Sequence, residues 1–463
     1  MGEDSWRNCG EGVRGASGYR CGVIRSLRGL LLFWTLFASY GMTWLLASVS
    51  GPERASRLFE RAHKKNARRL TRGFTSLGGV FIKMGQVLSV TGTFLPPAYG
   101  EALEALQDKV PPRPFGEIQA RLREAFGDAP LERFGSFERE PIAAASLAQV
   151  HRATRKDGQP LAVKVLYPNI ERLIASDLRV LRSILPMVRR LLPIGRVERM
   201  LDQLEAMLAR ETDYAHEREN IERMRKIFAG RSDVVVPTPV AELTQAGVLS
   251  MSFEEGTKIT DFAAQRTQGI DPEAVGKLLV EVYFEMLLRH RVFHADPHPG
   301  NFLVRPGPVL VILDYGAVEN ATEALANGMK TVVLGVLTKS DDEILRGLEI
   351  MGFVAPDGDR ELLKRVGREY LKVLGGVQIG DFSRLDREAI EKLSGYQQVR
   401  GQLRAVMKSV EYPDGYFYVE RTLALLFGLA GALAPKLGLP GLVLPYASRA
   451  LSGGFFTARK TAS

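Results

Sequence analysis

Cysteine is scarce in this chain, with only Cys9 and Cys21 among 463 residues. Two thiols cannot build a disulfide framework, and they cannot supply a cysteine-based zinc site. Both lie in a glycine-rich N-terminal segment that shows no helical periodicity, and we expect residues 1–28 to form a flexible tail. The sequence therefore favours a protein of a reducing compartment.

Acidic residues are fewer than basic ones, with 53 Asp and Glu against 62 Lys and Arg, so the formal net charge is +9. This balance suits nucleic acid, nucleotide phosphates or an anionic membrane surface, and it does not choose among them. Apolar residues make up 45% and charged residues 25%, which argues against wholesale disorder. The length allows two or three domains, or one large two-lobed domain with an extension.

Charge is absent from Gly29 to Pro52, an apolar segment long enough to cross a bilayer. It is not a cleavable signal peptide, because it is long and a basic helix follows at once. Three arginines precede it, and eight Lys or Arg against two Glu lie in Glu53–Arg72. Positive charge on both sides gives no orientation. A spanning helix, an interfacial helix or hairpin on an anionic leaflet, and a helix packed on the rest of the chain all stay open.

Hydrophobic periodicity and breaking residues predict helices and short strands. Before Glu132 the predicted elements are helices at 54–74, 79–91, 99–107 and 115–126. The predicted strands that follow are 133–142, 148–154, 161–165, 234–236, 240–243 and 248–253, with helices at 170–192 and 197–228. After Asp271 we expect helices, apart from strands at 302–304 and 310–313. This order is an α+β pattern, in which a small sheet with helices precedes a helical lobe.

The division that we predict runs through five segments. They are a tail (1–28), an apolar membrane-associated segment (29–52), a helical extension (53–130), a small lobe (131–256) and a large helical lobe (257–463). Near the C-terminus, Thr422–Leu437 is apolar but short and is broken by proline, so we expect a packed helix there.

The most specific motif is formed by Asp296, Asn301 and Asp314. A kinase catalytic loop places its base Asp five residues before a metal-binding Asn, and a second metal-binding Asp stands before a Tyr/Phe-Gly pair after a short strand. In this interpretation Asp296 orients or deprotonates the nucleophile, and Asn301 and Asp314 hold Mg²⁺ with oxygen ligands. His294 and His298 flank prolines rather than a helix, so we expect His294 to be a structural histidine and not a zinc ligand.

A second motif is the strand Leu161–Val165, in which Lys164 stands among small apolar residues as does the kinase lysine that binds the α- and β-phosphates of ATP. The segment Pro141–Val150 precedes it, where a kinase has its glycine-rich phosphate loop. Alanine replaces glycine here, so we expect a stiffer loop with a different backbone geometry. The predicted ATP contacts in this segment are Ala143, Ala144, Ala145, Ser146 and Val150.

Two further segments carry a family resemblance. Lys83-Met84-Gly85-Gln86 matches a K-x-G-Q signature, and Arg210–Glu217 matches an E-x-D segment. With the alanine-rich loop, they make the chain, from about Leu27 to Leu451, resemble the atypical membrane-associated kinases of the UbiB (AarF) type. The resemblance implies that Lys83 and Gln86 fold over the active site and contact Glu211 and Asp213. It also implies that Glu217 is the acidic partner of Lys164.

The resemblance further implies a two-lobed protein-kinase-like fold that uses ATP and Mg²⁺. Val248–Gly256 then runs into the hinge, where the adenine would lie. The predicted hinge contacts are Met251, Ser252, Phe253 and Glu254. No Ala-Pro-Glu segment of the usual kinase type follows Asp314, which puts protein phosphorylation in doubt.

The function that the sequence favours is an atypical kinase or ATPase at a membrane, with its catalytic part on the cytoplasmic side. The resemblance implies a role in ubiquinone or other isoprenoid-lipid biosynthesis, with a lipid-biosynthesis enzyme complex as a partner. A true protein kinase and a non-catalytic ATP-binding scaffold or lipid chaperone remain alternatives, and a homodimer is left open. The basic run at 54–72 lacks a nucleic-acid-binding module, so we expect no nucleic-acid partner.

Overall fold

The computed structural model describes residues 16–91, 96–104, 106, 111–191, 196–375, 406, 408–413, 416–438 and 441. The chain divides into two compact units. The first comprises residues 1–218 and 239–253, and the second comprises residues 219–238 and 254–463. The helical extension thus groups with the small sheet. Residues 219–238 and 254–256, which we predicted in the small lobe, group with the second unit instead. The predicted α+β class is confirmed.

The N-terminal part of the first unit is helical. Its helices are α1 (Ala16–Ser48), α2 (Pro52–Leu77), α3 (Val80–Thr91), α4 (Pro97–Glu104) and α5 (Phe115–Phe126). The prediction of a flexible tail is wrong for residues 16–28, because α1 begins at Ala16. There Arg25 pairs with Asp177 of α6 (Ile170–Leu191), with Oδ2 at 2.6 Å, and so fixes this end of α1. One helix in the described part of the chain, over Ile24–Ser48, is long and apolar enough to cross a membrane.

An antiparallel sheet forms the centre of the first unit. Its strands are β1 (Ser136–Ala144), β2 (Ala148–Thr154), β3 (Pro160–Leu166) and β5 (Val248–Ser252), in the order β1-β2-β3-β5. One face is buried against α5, where Ile118 and Leu122 contact Val163 and Val165. The burial alternates along β3, so Ala162 and Lys164 lie on the opposite, less buried face. This alternation places Lys164 on the less buried face, while Val163 and Val165 fill the core.

Two predicted elements differ from the structure. The helix predicted over 197–228 is two helices, α7 (Arg196–Glu211) and α8 (Tyr214–Ile227). The Asp213 carboxylate accepts a hydrogen bond from the backbone N–H of His216 and so starts a new helix. The strand predicted at 240–243 is a 3₁₀ turn over Ala241–Leu243, because Thr244 donates its hydroxyl to the Val240 carbonyl and closes the turn.

The second unit is mainly helical. Its described helices are α9 (Phe262–Thr267), α10 (Pro272–Glu285), α11 (Glu323–Thr338), α12 (Asp341–Met351), α13 (Arg360–Gly375) and α14 (Tyr416–Leu433). A π-helical turn, Met286–His290, extends α10. The end of α14 packs on α10, since Gly276 faces Leu433 and Ala434, so the predicted packed helix near the C-terminus is observed over residues 422–433.

Short strands of the second unit flank the segments that contain Asp296, Asn301 and Asp314. They are β4 (Val234–Val235), β6 (Thr257–Lys258), β7 (Val292–His294), β8 (Phe302–Arg305), β9 (Val309–Ile312) and β10 (Val318–Asn320). One sheet has the order β4-β9-β8-β6, and β7 pairs with β10. The sequence did not predict β6, β7 or β10, which have two or three residues each and are too short to show a period.

Candidate functional site

The candidate site residues of the first unit include an ion pair that is largely buried. Lys164 Nζ lies 2.9 and 3.0 Å from the two carboxylate oxygens of Glu217 on α8. The Glu217 side chain is 0% exposed and that of Lys164 is 17% exposed. The ring of Tyr214 lies 5.3 Å from the lysine nitrogen. Lys164 is also opposite Val150 in the sheet register, so these two predicted ATP contacts share one face.

The helix that carries Glu217 is fixed from its first turn. Asp213 caps α8, which gives it a structural task that the sequence did not predict. Lys83 of α3 forms a salt bridge with Glu211 at the end of α7, as the resemblance implies. Gln86 donates its side-chain amide to the Leu106 carbonyl at 3.0 Å. The K-x-G-Q helix is therefore tied to the segment just before the Glu217 helix.

The alanine-rich segment is a tight turn rather than the predicted longer loop. Strand β1 continues to Ala144 and β2 starts at Ala148, so only residues 145–147 are outside strands, and the Ala145 N–H donates to the Ala148 carbonyl at 2.8 Å. The structure describes every residue from 141 to 150, and none of them has a positive φ. Alanine can therefore replace glycine here without backbone strain.

Tyr167 holds this turn by two hydrogen bonds. Its hydroxyl donates to the Ala145 carbonyl at 3.1 Å, and its backbone N–H donates to the Leu147 carbonyl at 2.9 Å. The guanidinium of Arg113 lies 4.0 Å from the centre of the Tyr167 ring. Arg113 in turn donates its backbone N–H to the buried side chain of Gln149. Sequence reasoning did not find Tyr167 or Arg113, because neither belongs to a local motif.

The predicted hinge residues are distributed over both units. Met251 and Ser252 are the last residues of β5, and Met251 is buried opposite Ala162. Phe253 lies under the guanidinium of Arg152, at 4.6 Å from the ring centre. Glu254 belongs to the second unit, where it pairs with Arg305 at 2.7 Å.

In the second unit, Asp296 and Asn301 are held in one loop. The Asn301 side-chain amide donates to the backbone carbonyl of Asp296 at 3.0 Å, and it lies 3.4 Å from the carboxylate Oδ2. The Leu313 N–H donates to the Asn301 carbonyl at 2.9 Å, which links this loop to the end of β9. The five-residue spacing thus places the side chains of Asp296 and Asn301 together. The backbone bond from Leu313 brings Asp314, the next residue, close to the same loop.

Asp314 is fixed through the buried His294. The ring Nε2 of His294 lies 2.5 Å from the Asp314 carbonyl and its Nδ1 lies 3.1 Å from the Tyr283 hydroxyl. Burial lowers the pKa of His294, against the carboxylates of Asp296 and Asp314, which raise it. A neutral ring that donates from Nε2 and accepts at Nδ1 satisfies both contacts. The Asp314 carboxylate accepts the Gly316 N–H at 2.9 Å.

Arg421 of α14 contacts the predicted base directly. Its terminal nitrogen lies 2.9 Å from Asp296 Oδ1, and the side chains are 25% and 31% exposed. The next residue, Thr422, donates its hydroxyl to the Ala295 carbonyl at 3.2 Å. Sequence reasoning placed this helix in the core and did not assign Arg421 to the site, since 125 residues separate it from Asp296.

The donor set fits a magnesium ion that a nucleotide helps to hold. No group of three His, Cys, Asp or Glu that could hold a metal alone occurs among the described residues. Mg²⁺ is usually bound by one or two carboxylates together with substrate phosphates and water. The amide nitrogen of Asn301 is used on Asp296, so its oxygen is the atom left for a cation.

An alanine turn beside a Lys–Glu pair, and an Asp-x₄-Asn loop followed by Asp-Tyr-Gly, define the class of kinase-like proteins. A family model of the ABC1 atypical kinase-like domain matches residues 105–347. The chain therefore belongs to this family, which includes the UbiB and AarF proteins. The fold is the kinase-like α+β fold that the sequence predicts.

Sequence relatives and one solved structure are similar to most of this chain. The chloroplastic protein ACTIVITY OF BC1 COMPLEX KINASE 8 of Arabidopsis thaliana is 30% identical over 82% of this chain, which spans 53% of that relative's length. An uncharacterized protein of Synechocystis is 31% identical, over 86% of this chain and 69% of its own. The solved structure of Rv3197 of Mycobacterium tuberculosis with erythromycin covers 85% of this chain and 100% of its own, at 25% identity and a TM-score of 0.51.

Proposed function

We propose that this protein is an ATP-dependent phosphotransferase or ATPase that works at a membrane and supports the biosynthesis or handling of ubiquinone or another isoprenoid lipid. The observation that carries the proposal is the pairing of Lys164 with a fully buried Glu217. A lysine held in this way is pre-organised for nucleotide phosphates, and burial of its carboxylate partner excludes a merely solvated surface pair.

The other residues take the roles that their contacts support. Asp296, oriented by Arg421 and Asn301, accepts a proton from the attacking hydroxyl or water. Asn301 and Asp314 would hold a Mg²⁺ ion bound together with the nucleotide, and that ion would supply positive charge to neutralise the phosphate oxygens. The turn over Ala143–Ser146 covers the phosphates, and Met251 to Glu254 border the adenine.

The acceptor decides between hydrolysis and transfer. We expect hydrolysis, or transfer to a small or lipid-like acceptor, because the chain lacks an Ala-Pro-Glu segment after Asp314. The Lys83–Glu211 salt bridge supports this view, since it secures the K-x-G-Q helix that the family places over the active site. Partners in a lipid-biosynthesis complex would deliver the acceptor.

The experiment uses the purified full chain with γ-labelled ATP and Mg²⁺. Release of free phosphate, stimulated by lipid vesicles and lost in Asp296→Asn and Asp314→Asn, is the expected result. Strong and specific labelling of a protein acceptor would instead identify a protein kinase. Turnover that neither variant changes would leave an ATP-binding scaffold, and no Mg²⁺-dependent ATP affinity would refute the proposal.

A further inference from the structure

The first two helices form an antiparallel pair along most of their length. The rings of Phe33 and Phe74 are 6.4 Å apart, and the Tyr40 hydroxyl lies 2.8 Å from His63 Nδ1. A Cβ atom at Gly73 would overlap the side chain of Leu32, so the backbones are close at this level. Positions 32–40 of α1 thus run beside positions 74–63 of α2.

α1 is buried along one narrow seam only. Among residues 24–48 of α1, whose burial the structure describes, the buried ones are Gly29, Leu36 and Thr43, at intervals of seven, or about two helical turns. Many of its other side chains are apolar and exposed, with Trp34 at 58% and Trp44 at 66%. The other large exposed apolar residues of this region are Ile24, Leu27, Leu31, Met42, Leu45, Leu46 and Val49. A continuous apolar surface of this size marks a site of interaction with another apolar phase.

α2 supplies cations to the border of this surface. One groove, of about 530 Å³, has Thr35, Ser39 and Met42 of α1 on one side and Arg61 and Lys65 of α2 on the other. An adjoining groove of about 540 Å³ is lined entirely by basic residues, namely Arg61, Lys64, Lys65, Arg68, Arg69 and Arg72. Exposed apolar side chains and a basic stripe therefore border the same groove.

The basic stripe has few acidic neighbours. Lys64 pairs with Glu60 at 2.8 Å, and both side chains are 64% exposed, so water screens this pair strongly. In the described part of the chain no salt bridge joins Arg61, Lys65, Arg68 or Arg72 to a carboxylate. The stripe therefore has positive charge to offer to phosphate groups.

This pairing decides how α1 can meet a bilayer. If α1 crossed the membrane with α2 beside it, five cations between positions 64 and 72 would enter the hydrocarbon. Charged side chains are unfavourable at the bilayer centre, so five together oppose this arrangement strongly. Near an anionic leaflet the same cations are attracted to the lipid phosphates. Separation of the helices would expose Leu36 and the fully buried Phe74.

We propose that α1 and α2 form a hairpin that lies in the plane of an anionic bilayer, with the apolar surface of α1 among the acyl chains and the stripe of α2 on lipid phosphates. α1 does not cross the membrane. The inference deepens the membrane part of the proposed function, and it concerns binding alone.

Depth is measured with the tryptophans that α1 already carries. The full chain is bound to vesicles of phosphatidylcholine with phosphatidylglycerol that contain lipids brominated at different depths. Trp34 and Trp44 are read singly in the Trp6→Phe/Trp44→Phe and Trp6→Phe/Trp34→Phe variants, since Trp6 is the third tryptophan of the chain. Both should be quenched most by shallow bromines. Ten residues separate them, about 15 Å along a helix axis, so a spanning helix would place them at clearly different depths and would overturn the proposal.

Sidedness is measured in sealed membrane vesicles from expressing cells. Two proteins each carry one cysteine. The Cys21→Ser variant keeps only Cys9, which precedes α1. The second variant lacks Cys9 and Cys21 and carries Ser50→Cys, which follows α1. An impermeant thiol reagent should label both or neither in vesicles of one orientation. Labelling of one cysteine only, reversed in inverted vesicles, would show that α1 crosses the membrane.

The basic stripe is tested by charge. Arg61, Lys65, Arg68 and Arg72 replaced together by Gln should weaken binding to the anionic vesicles at least tenfold, and 0.5 M salt should weaken wild-type binding similarly. The matched control removes four exposed lysines elsewhere, Lys156, Lys226, Lys258 and Lys339, and should retain the affinity. An equal loss of vesicle affinity in both variants would show that binding depends on net charge alone, and it would overturn the role of the stripe.

ATP turnover in detergent separates this inference from the proposed function. The stripe variant should keep the basal turnover of the wild type, because none of its residues belongs to the catalytic site. A chain without any turnover would refute the enzymatic proposal, while the depth and sidedness results would still decide the position of the hairpin.

Discussion

The ion pair between Lys164 and Glu217 allows a prediction whose size follows from burial. The variant Lys164→Met removes the cation that neutralises a carboxylate with no exposed surface. Loss of one partner from a buried pair costs about 3–5 kcal/mol. For a unit of this size, each kcal/mol lowers the unfolding midpoint by roughly 2–4 °C, so a decrease of about 10 °C is expected.

The reverse change should cost less. In Glu217→Gln the lysine is 17% exposed and can recover part of its hydration, so we expect a loss of about 1–2 kcal/mol. The double variant Lys164→Met/Glu217→Gln removes both charges, and it should be more stable than Lys164→Met alone. A double-mutant cycle should therefore give a coupling of about 2 kcal/mol.

Calorimetric unfolding of the four proteins measures this coupling, and ATP turnover is measured on the same samples. Both single variants should lose most of their turnover, and the double variant should regain stability but not activity. A Lys164→Met protein that unfolds within about 2 °C of the wild type would refute the reasoning. So would stability losses that simply add.

Three further predictions concern the second unit and the alanine turn. Arg421→Met should lower kcat about tenfold at nearly constant KM for ATP, with partial rescue in Arg421→Lys, and it should add nothing to Asp296→Asn if it acts through that carboxylate alone. Equal losses in both backgrounds would assign Arg421 a separate role. Tyr167→Phe, which removes the hydrogen bond to Ala145, should weaken MgATP binding about three- to tenfold, measured by calorimetric titration, with little change in unfolding midpoint. Burial lowers the pKa of His294, so as the pH falls the unfolded chain binds a proton at this histidine before the folded chain does. The wild type should therefore lose stability relative to His294→Gln as the pH falls below 6.5. A difference in unfolding midpoint between the two proteins that stays constant with pH would contradict this.

The sequence predicted best where the chemistry is local. Asp296 and Asn301 lie in one loop, and their five-residue spacing is the motif that predicted them. In the structure the Asn301 side-chain amide donates a hydrogen bond to the Asp296 carbonyl. Lys164 lies on a strand whose alternation is visible in the sequence, and its partner Glu217 came from the family resemblance. The roles of these residues in ATP use remain proposals.

Long-range contacts were the part that the sequence could not supply. Arg421 and Tyr167 act on residues 125 and 22 positions away, and neither contact leaves a periodic trace. The error at 240–243 has another cause, since the apolar residues suit a strand but the Thr244 hydroxyl closes a turn. At α1, hydropathy predicted the apolar segment, but only the pairing with α2 distinguishes an in-plane helix from a spanning one.

The contact of α14 with the loop around Asp296 has a consequence for synthesis. Residues 295 and 296 are synthesised long before residues 421 and 422, so the growing chain carries Asp296, the proposed base, without the guanidinium of Arg421 and the hydroxyl of Thr422 that contact this loop. At about 5–20 residues per second, that interval lasts many seconds. On the proposed role of Asp296, a nascent chain would not turn over ATP until α14 has emerged and docked.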